Sequence, residues 1–234
     1  MEEIKIDKLV ILDPYDLNFL RNKGFKIEET SKKITVVGMI KINRFYDAEK
    51  IIYRIRDAEF EIKITVLKKR NELPKVFELS NKVPKKYHKY YNEELCLGYP
   101  LCIWSIYNQN KSLDLFIDKF IVPYFFRFCC LEVYGHAPVG EYSHTNGALE
   151  YFKDILGTDK KHVVASILET YLLDKNVSCP CESGLSFKSC HFQKINVLKS
   201  VPKDILRKEL QLLKNYHKLK YGSYTSFLSM SSNL

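Results

Sequence analysis

The chain has 234 residues, enough for one full domain plus an appendage and too few for two large domains. Hydrophobic residues make up 46% and charged residues 28%, a balance that excludes a disordered chain and supplies a real core. The formal charge is +9, and no apolar run reaches the roughly 18–20 residues of a bilayer span. The opening Met1-Glu2-Glu3 does not begin a secretory signal, so the expected compartment is the cytoplasm, with no membrane partner.

In chain order, residues 13–22 predict a short helix, with Asp13 as cap, Pro14 in its first turn and Gly24 just beyond its end. Four β-branched stretches follow, over residues 34–45, 51–56, 59–67 and 75–79. In the third, Phe60, Ile62, Ile64 and Val66 alternate with Glu61, Lys63 and Thr65, the period of a half-buried strand. The short spacers Asp47-Ala48-Glu49 and Asp57-Ala58 predict an antiparallel meander rather than parallel crossovers. Residues 81–98 show no period. Residues 112–132 predict a long apolar helix with Leu113, Phe116, Ile117 and Phe120 on one face, kinked at Pro123 or restarted there. Further helices are predicted over 147–156, 161–173 and 203–220, the last entered through Pro202, and the Ser-rich tail 223–234 is expected to fray. The fold class is therefore α+β, an antiparallel four-stranded meander flanked by helices and followed by a small helical tail.

The positive charge is unevenly spread. Residues 1–160 carry 26 basic and 23 acidic side chains, whereas residues 161–234 carry 11 and 5. Lys194, Lys199, Lys203, Arg207, Lys208, Lys214, Lys218 and Lys220 supply most of the late excess. Such a patch is an electrostatic footprint for nucleic acid or an acidic partner, or the solvated face of a helix. No aromatic-interleaved or helix-turn-helix pattern accompanies it, so nucleic acid is not the favoured partner.

Three of the seven cysteines fall within twelve residues, at Cys179, Cys181 and Cys190, and His191 adjoins the last. Two thiolates one residue apart, a turn at Gly184, then an adjacent Cys and His can close a tetrahedron around Zn²⁺. All four positions are filled by protein, which predicts a structural site. The run Cys179-Pro180-Cys181 through Ser183-Gly184 and Lys188 to Cys190-His191 resembles the SEC-C motif, departing from it at Glu182, where that family usually has Gly. The resemblance implies a compact zinc module used for protein–protein contacts.

A second resemblance covers roughly residues 10–155. Phe60-Glu61-Ile62-Lys63-Ile64, Leu73-Pro74-Lys75-Val76, His88 and Leu95-Cys96-Leu97, in that order, resemble ubiquitin-conjugating enzymes. With Gly140-Glu141-Tyr142-Ser143-His144, the pattern is closest to their divergent branch in bacterial antiphage defence operons. The resemblance implies that Cys96 carries an acyl group as a thioester and passes it to a lysine, chemistry that suits a thiolate. It also implies an oxyanion donor upstream. The family's Asn falls on Tyr90 or His88 here, leaving Asn92 and His88 as the candidates, and Glu141 could orient His144 as an acid/base pair. Cys102, Cys129 and Cys130 read as core thiols.

The expected organisation is a ubiquitin-conjugating-enzyme-like domain over 1–158, a helical zinc module over 159–222 and a tail over 223–234. The implied partners are a modifier protein, an activating enzyme and a signalling nucleotidyltransferase that makes cyclic nucleotides. The competing expectation is an inactive domain of the same fold that recruits a protein through the zinc module.

Overall fold

The computed structural model describes residues 17–48, 51–68, 71–138, 142, 146–173 and 176–215. Residues 13–16 of the first predicted helix lie outside these; its remainder is helical as α1 (Leu17–Asn22), and the chain turns at Gly24 with φ +84°. Four strands follow: β1 (Lys26–Glu29), β2 (Lys33–Ala48), β3 (Ile51–Leu67) and β4 (Lys75–Glu78). They form one sheet in the order β1-β2-β3-β4, antiparallel throughout.

The meander is present, but its membership differs from expectation. The stretches 51–56 and 59–67 are one strand. Ile42 pairs with Ala58 and Arg44 with Ile55, so β3 carries one more residue than β2 between those pairs. Asp57, at φ +54°, takes up the extra length, and its N–H donates to Asn43 Oδ1 at 2.7 Å. The Asp-Ala pair that reads as a turn is therefore a β-bulge. The fourth strand is instead β1, whose Lys-Ile-Glu-Glu sequence is too short and too charged to show a period. Phe25, just before it, lies over Gly38 of β2, where a Cβ would sit 2.4 Å from the ring. Only glycine lets the two chains approach there.

Ile34, Val36, Ile40 and Ile42 of β2 and the predicted Phe60, Ile62, Ile64 and Val66 of β3 are buried on one face of the sheet. The predicted long helix covers that face. It runs as α3 (Leu113–Phe116), a wider π turn over Ile117–Ile121, and α4 (Val122–Tyr134). The Val122 N–H reaches back to Ile117 O, and Pro123 follows in the first turn of α4. Proline has no N–H, and its ring would crowd the carbonyl four residues earlier; the wider turn accommodates it. Phe125 of α4 stacks on Phe60 with centroids 4.2 Å apart. Near the helix end, the Tyr134 hydroxyl accepts from Arg54 N–H at 3.0 Å and lies 3.3 Å from Arg54 O.

Helix α2 (Pro100–Asn110) was not anticipated. Ile103 and Tyr107 belong to the apolar cluster that includes the buried face of the sheet, Tyr107 lying edge-on to Phe116 at 5.3 Å, while Tyr99, Leu101 and Trp104 enter a second apolar cluster. A helix buried on both sides has no polar face, so the helical period is lost from its sequence. The second cluster joins these residues to α5 (Gly147–Leu156), α6 (Lys161–Leu172), α7 (Phe187–Cys190), α8 (Phe192–Ile195), a 3₁₀ turn over Asn196–Ser200, and α9 (Lys203–Asn215). Tyr99, Leu101, Trp104, Tyr151, Phe152 and Leu156, all before residue 158, belong to it. Ser200 fastens it to α2, its hydroxyl donating to Ser105 O at 3.0 Å and its carbonyl accepting from Asn108 Nδ2. Among the described residues, no helix is long and apolar enough to cross a membrane.

Glu209 is the charged exception inside the second cluster, 8% exposed and with no hydrogen-bond partner for Oε1 among the described residues. Burial raises its pKa above the ordinary 4.5, against an opposing hydrogen bond from Tyr99. A raised carboxyl favours the fold while protonated, so its contribution is complete below pH about 4.5 and is lost as pH rises through the folded value. Urea titrations from pH 4.5 to 8 should show that Glu209→Gln removes this decline, leaving the variant more stable than wild type at pH 8 and similar at the acidic end.

Candidate nucleophile and candidate metal centre

After β4 the chain folds into a tight hairpin over residues 88–96. Lys89 pairs with Leu95, Tyr90 N–H donates to Glu94 O at 2.8 Å, and Cys96 N–H donates to His88 O at 2.7 Å. Glu93, at φ +66°, closes the turn by donating to Tyr90 O at 3.0 Å. Leu95 N–H donates to Val76 O at 2.8 Å and lays the hairpin beside β4. The alternation of an extended chain then sends Leu95 and Leu97 into the first cluster and Cys96 the other way. Cys96 is 8% exposed and belongs to neither apolar cluster.

This register sets the His88 backbone directly across from that of Cys96, while the His88 ring packs edge-on to Tyr87 at 5.0 Å. Asn92 is turned elsewhere. At the exposed tip its Oδ1 accepts from Glu94 N–H at 3.2 Å and its Nδ2 donates to Glu94 Oε2 at 3.3 Å. Burial raises the Glu94 pKa, opposed by that Asn92 bond and by Lys75. Glu141 and His144 lie outside the described residues. Of the remaining thiols, Cys129 and Cys130 are buried in the first cluster and pushed up to about 11 by desolvation. Burial raises Cys102 as well.

A buried ion pair underlies the hairpin. Lys89 Nζ lies 3.5 Å from Glu78 Oε2 of β4, with the two side chains 5% and 0% exposed. The same ammonium donates to Val83 O at 2.8 Å, and Lys82 N–H donates to Glu78 Oε1 at 3.2 Å. An irregular, lysine-rich segment reads as solvated, so nothing in the sequence marks this pair.

The second site is built by two turns and two short helices. Cys179 N–H donates to Leu185 O at 2.8 Å, and Ser178 pairs with Ser186, closing a knuckle. Within it Glu182 sits at φ +63° and Gly184 at φ +77°, so the residue that departs from the SEC-C pattern occupies backbone natural to glycine. Ser186 caps α7 by accepting from Ser189 N–H at 3.3 Å, and α7 delivers Cys190 and His191.

Cys179 Sγ and Cys190 Sγ each lie 3.2 Å from His191 Nδ1, and Cys181 Sγ lies 3.5 Å from Cys190 Sγ. All four donor atoms fall within 4.8 Å of one another. A tetrahedral ion with bonds of about 2.0–2.3 Å requires donor separations of roughly 3.3–3.8 Å. The shortest separations lie close to that range, and the cluster could hold a metal ion.

His191 Nε2 lies 3.2 Å from Leu156 O at the end of α5, which fixes the proton on Nε2 and leaves Nδ1 as the donor. Burial pushes the Cys179 thiol up to about 12. At Cys181 burial acts the same way but is outweighed by hydrogen bonds from Ser183, Cys179 and Cys190, and the pKa falls. Lys160, Lys194 and Glu182 line an open hollow of about 470 Å³ beside Cys181 and His191. The Leu156 carbonyl carries no sequence signal, because its part depends on the end of α5 meeting His191.

Removing one partner of a buried pair strands the other. Lys89→Met should cost about 3–5 kcal/mol in denaturant midpoint analysis. Most of that should return in the Lys89→Met/Glu78→Leu double variant. Cys179→Ser should lose bound metal and loosen the second cluster. A strong chelator should lower the melting temperature of wild type while leaving Cys179→Ser unchanged, read by calorimetry with elemental analysis.

Compared with known proteins, the chain matches no protein-family model, no curated protein and no solved structure.

Proposed function

We propose that this chain is a cysteine-dependent acyl-transfer protein of ubiquitin-conjugating-enzyme-like build, with a structural zinc ion held by Cys179, Cys181, Cys190 and His191. One arrangement carries the catalytic half: Cys96 follows an antiparallel meander, in a hairpin on its last strand, with His88 in register across from it. The Cys96 thiolate attacks the carbonyl carbon of an activated carboxyl, forming a thioester and expelling the carrier group. A lysine amine then attacks the thioester, gives up a proton and returns the thiolate. His88, across from Cys96 in the backbone register, is the residue we assign to that proton transfer or to donation to the oxyanion. A signalling nucleotidyltransferase of antiphage defence is the acceptor that the sequence resemblance favours, and an activating enzyme the supplier.

The zinc assignment rests on the donor set. Three soft thiolates and one imidazole suit Zn²⁺ rather than a hard cation, and four protein donors leave no open position for a reacting water. The ion's role is to hold α5, α7 and α8 together, with Leu156 O fixing the imidazole.

A specific observation favours a second reading. Asn92 is spent on Glu94, and Cys96 is only 8% exposed, as expected of an inactive scaffold that recruits a partner through its metal-bearing half. Incubation with activating enzyme, modifier and ATP separates the two. The transferase should gain one modifier mass, removed by reductant and absent in Cys96→Ala, with about one zinc per chain. A scaffold should take up no modifier, and its biological activity should survive Cys96→Ala but not Cys179→Ser.

A further inference from the structure

Tyr124 is fully buried in the first turn of α4, yet it ends in a hydroxyl placed against the hairpin. Its Oη lies 3.2 Å from Tyr87 O and 3.4 Å from His88 O, two successive carbonyls, and donates to them. The His88 carbonyl is also the acceptor for Cys96 N–H, at 2.7 Å. His88 itself is held at φ +37°, a backbone conformation that a residue with a Cβ adopts only when its surroundings impose it. A hydroxyl from the helix, a strained histidine and the amide of the thiol residue thus meet at one carbonyl.

We infer that Tyr124 is a positioning residue for Cys96: its hydroxyl holds the His88 peptide in the strained conformation that keeps His88 and Cys96 in register. This rests on the transferase reading of Cys96. The ring alone would not suffice. It packs edge-on against Tyr87 at 5.5 Å and against Phe125 at 5.3 Å, contacts that phenylalanine retains, whereas the grip on the two carbonyls depends on Oη. Because α4 also packs on the sheet, the hydroxyl ties the thiol-bearing hairpin to the rigid part of the fold.

Tyr124→Phe tests this in full-length, metal-loaded protein. Without the hydroxyl the hairpin relaxes locally, so two readouts should move in opposite directions. Alkylation of Cys96 by iodoacetamide, followed residue by residue by mass spectrometry, should quicken at least threefold, as should exchange of the Cys96 amide proton. Modifier loading onto Cys96 should slow about tenfold, with the half-saturating concentration of charged activating enzyme unchanged. Cys129 and Cys130, five and six residues further along α4, should stay as unreactive as in wild type.

Wild-type rates of both loading and alkylation in Tyr124→Phe would overturn the inference. So would Cys129 and Cys130 becoming reactive alongside Cys96, since that reports general loosening of the helix. If wild type itself accepts no modifier, the transferase reading falls. The alkylation and exchange contrast then decides separately whether the hydroxyl holds the hairpin.

Discussion

Helix α2 must bury two opposite faces at once, and the arrangement of the molecule follows from that constraint. Ile103 and Tyr107 belong to the core beneath the sheet, and Tyr99, Leu101 and Trp104 to the core around α5, α6 and α9. The helix begins only four residues after Cys96, so the candidate nucleophile lies between an element fixed by both cores and a hairpin fixed to β4. Apolar burial at about 25 cal/mol per Å² makes displacement of such a helix costly on either side. The position of Cys96 is therefore set by packing that is remote from its own chemistry.

The carboxy-terminal half solves a different problem. Its helices α7 and α8 are four residues each, too short to persist through their own hydrogen bonds. An ion held by the four donor atoms would supply the missing constraint, since an ion that binds only the folded arrangement adds its binding free energy to folding. The contact between His191 and Leu156 O extends that constraint to α5, and through Tyr151 and Phe152 into the second cluster.

Much of this was legible in the sequence where one physical signal acted alone. The alternation from Phe60 to Val66 gave the buried face of β3, and the spacing of Cys179, Cys181, Cys190 and His191 gave the donor cluster. What escaped was wherever two demands overlapped. Helix α2 has no amphipathic period because it buries apolar residues in two clusters on opposite sides. Asp57-Ala58 has turn chemistry, yet pairing with β2 continues on both sides of it. Lys89 looks solvated, and only the meeting of the hairpin with Glu78 shows otherwise. Asn92 has the right chemistry for an oxyanion donor, but a nearer backbone N–H and carboxylate claim it.

The β2–β3 ribbon continues well past the four-residue strand β4, so among the described residues β3 has a stretch of outer edge with no neighbouring strand. Unpaired edges of this kind template the addition of foreign strands and seed aggregation. Tyr134 closes the gap at Arg54 by engaging both the N–H and the carbonyl that a foreign strand would need. One phenolic side chain from a helix thus occupies, at that residue, the hydrogen-bonding positions that an added strand would use.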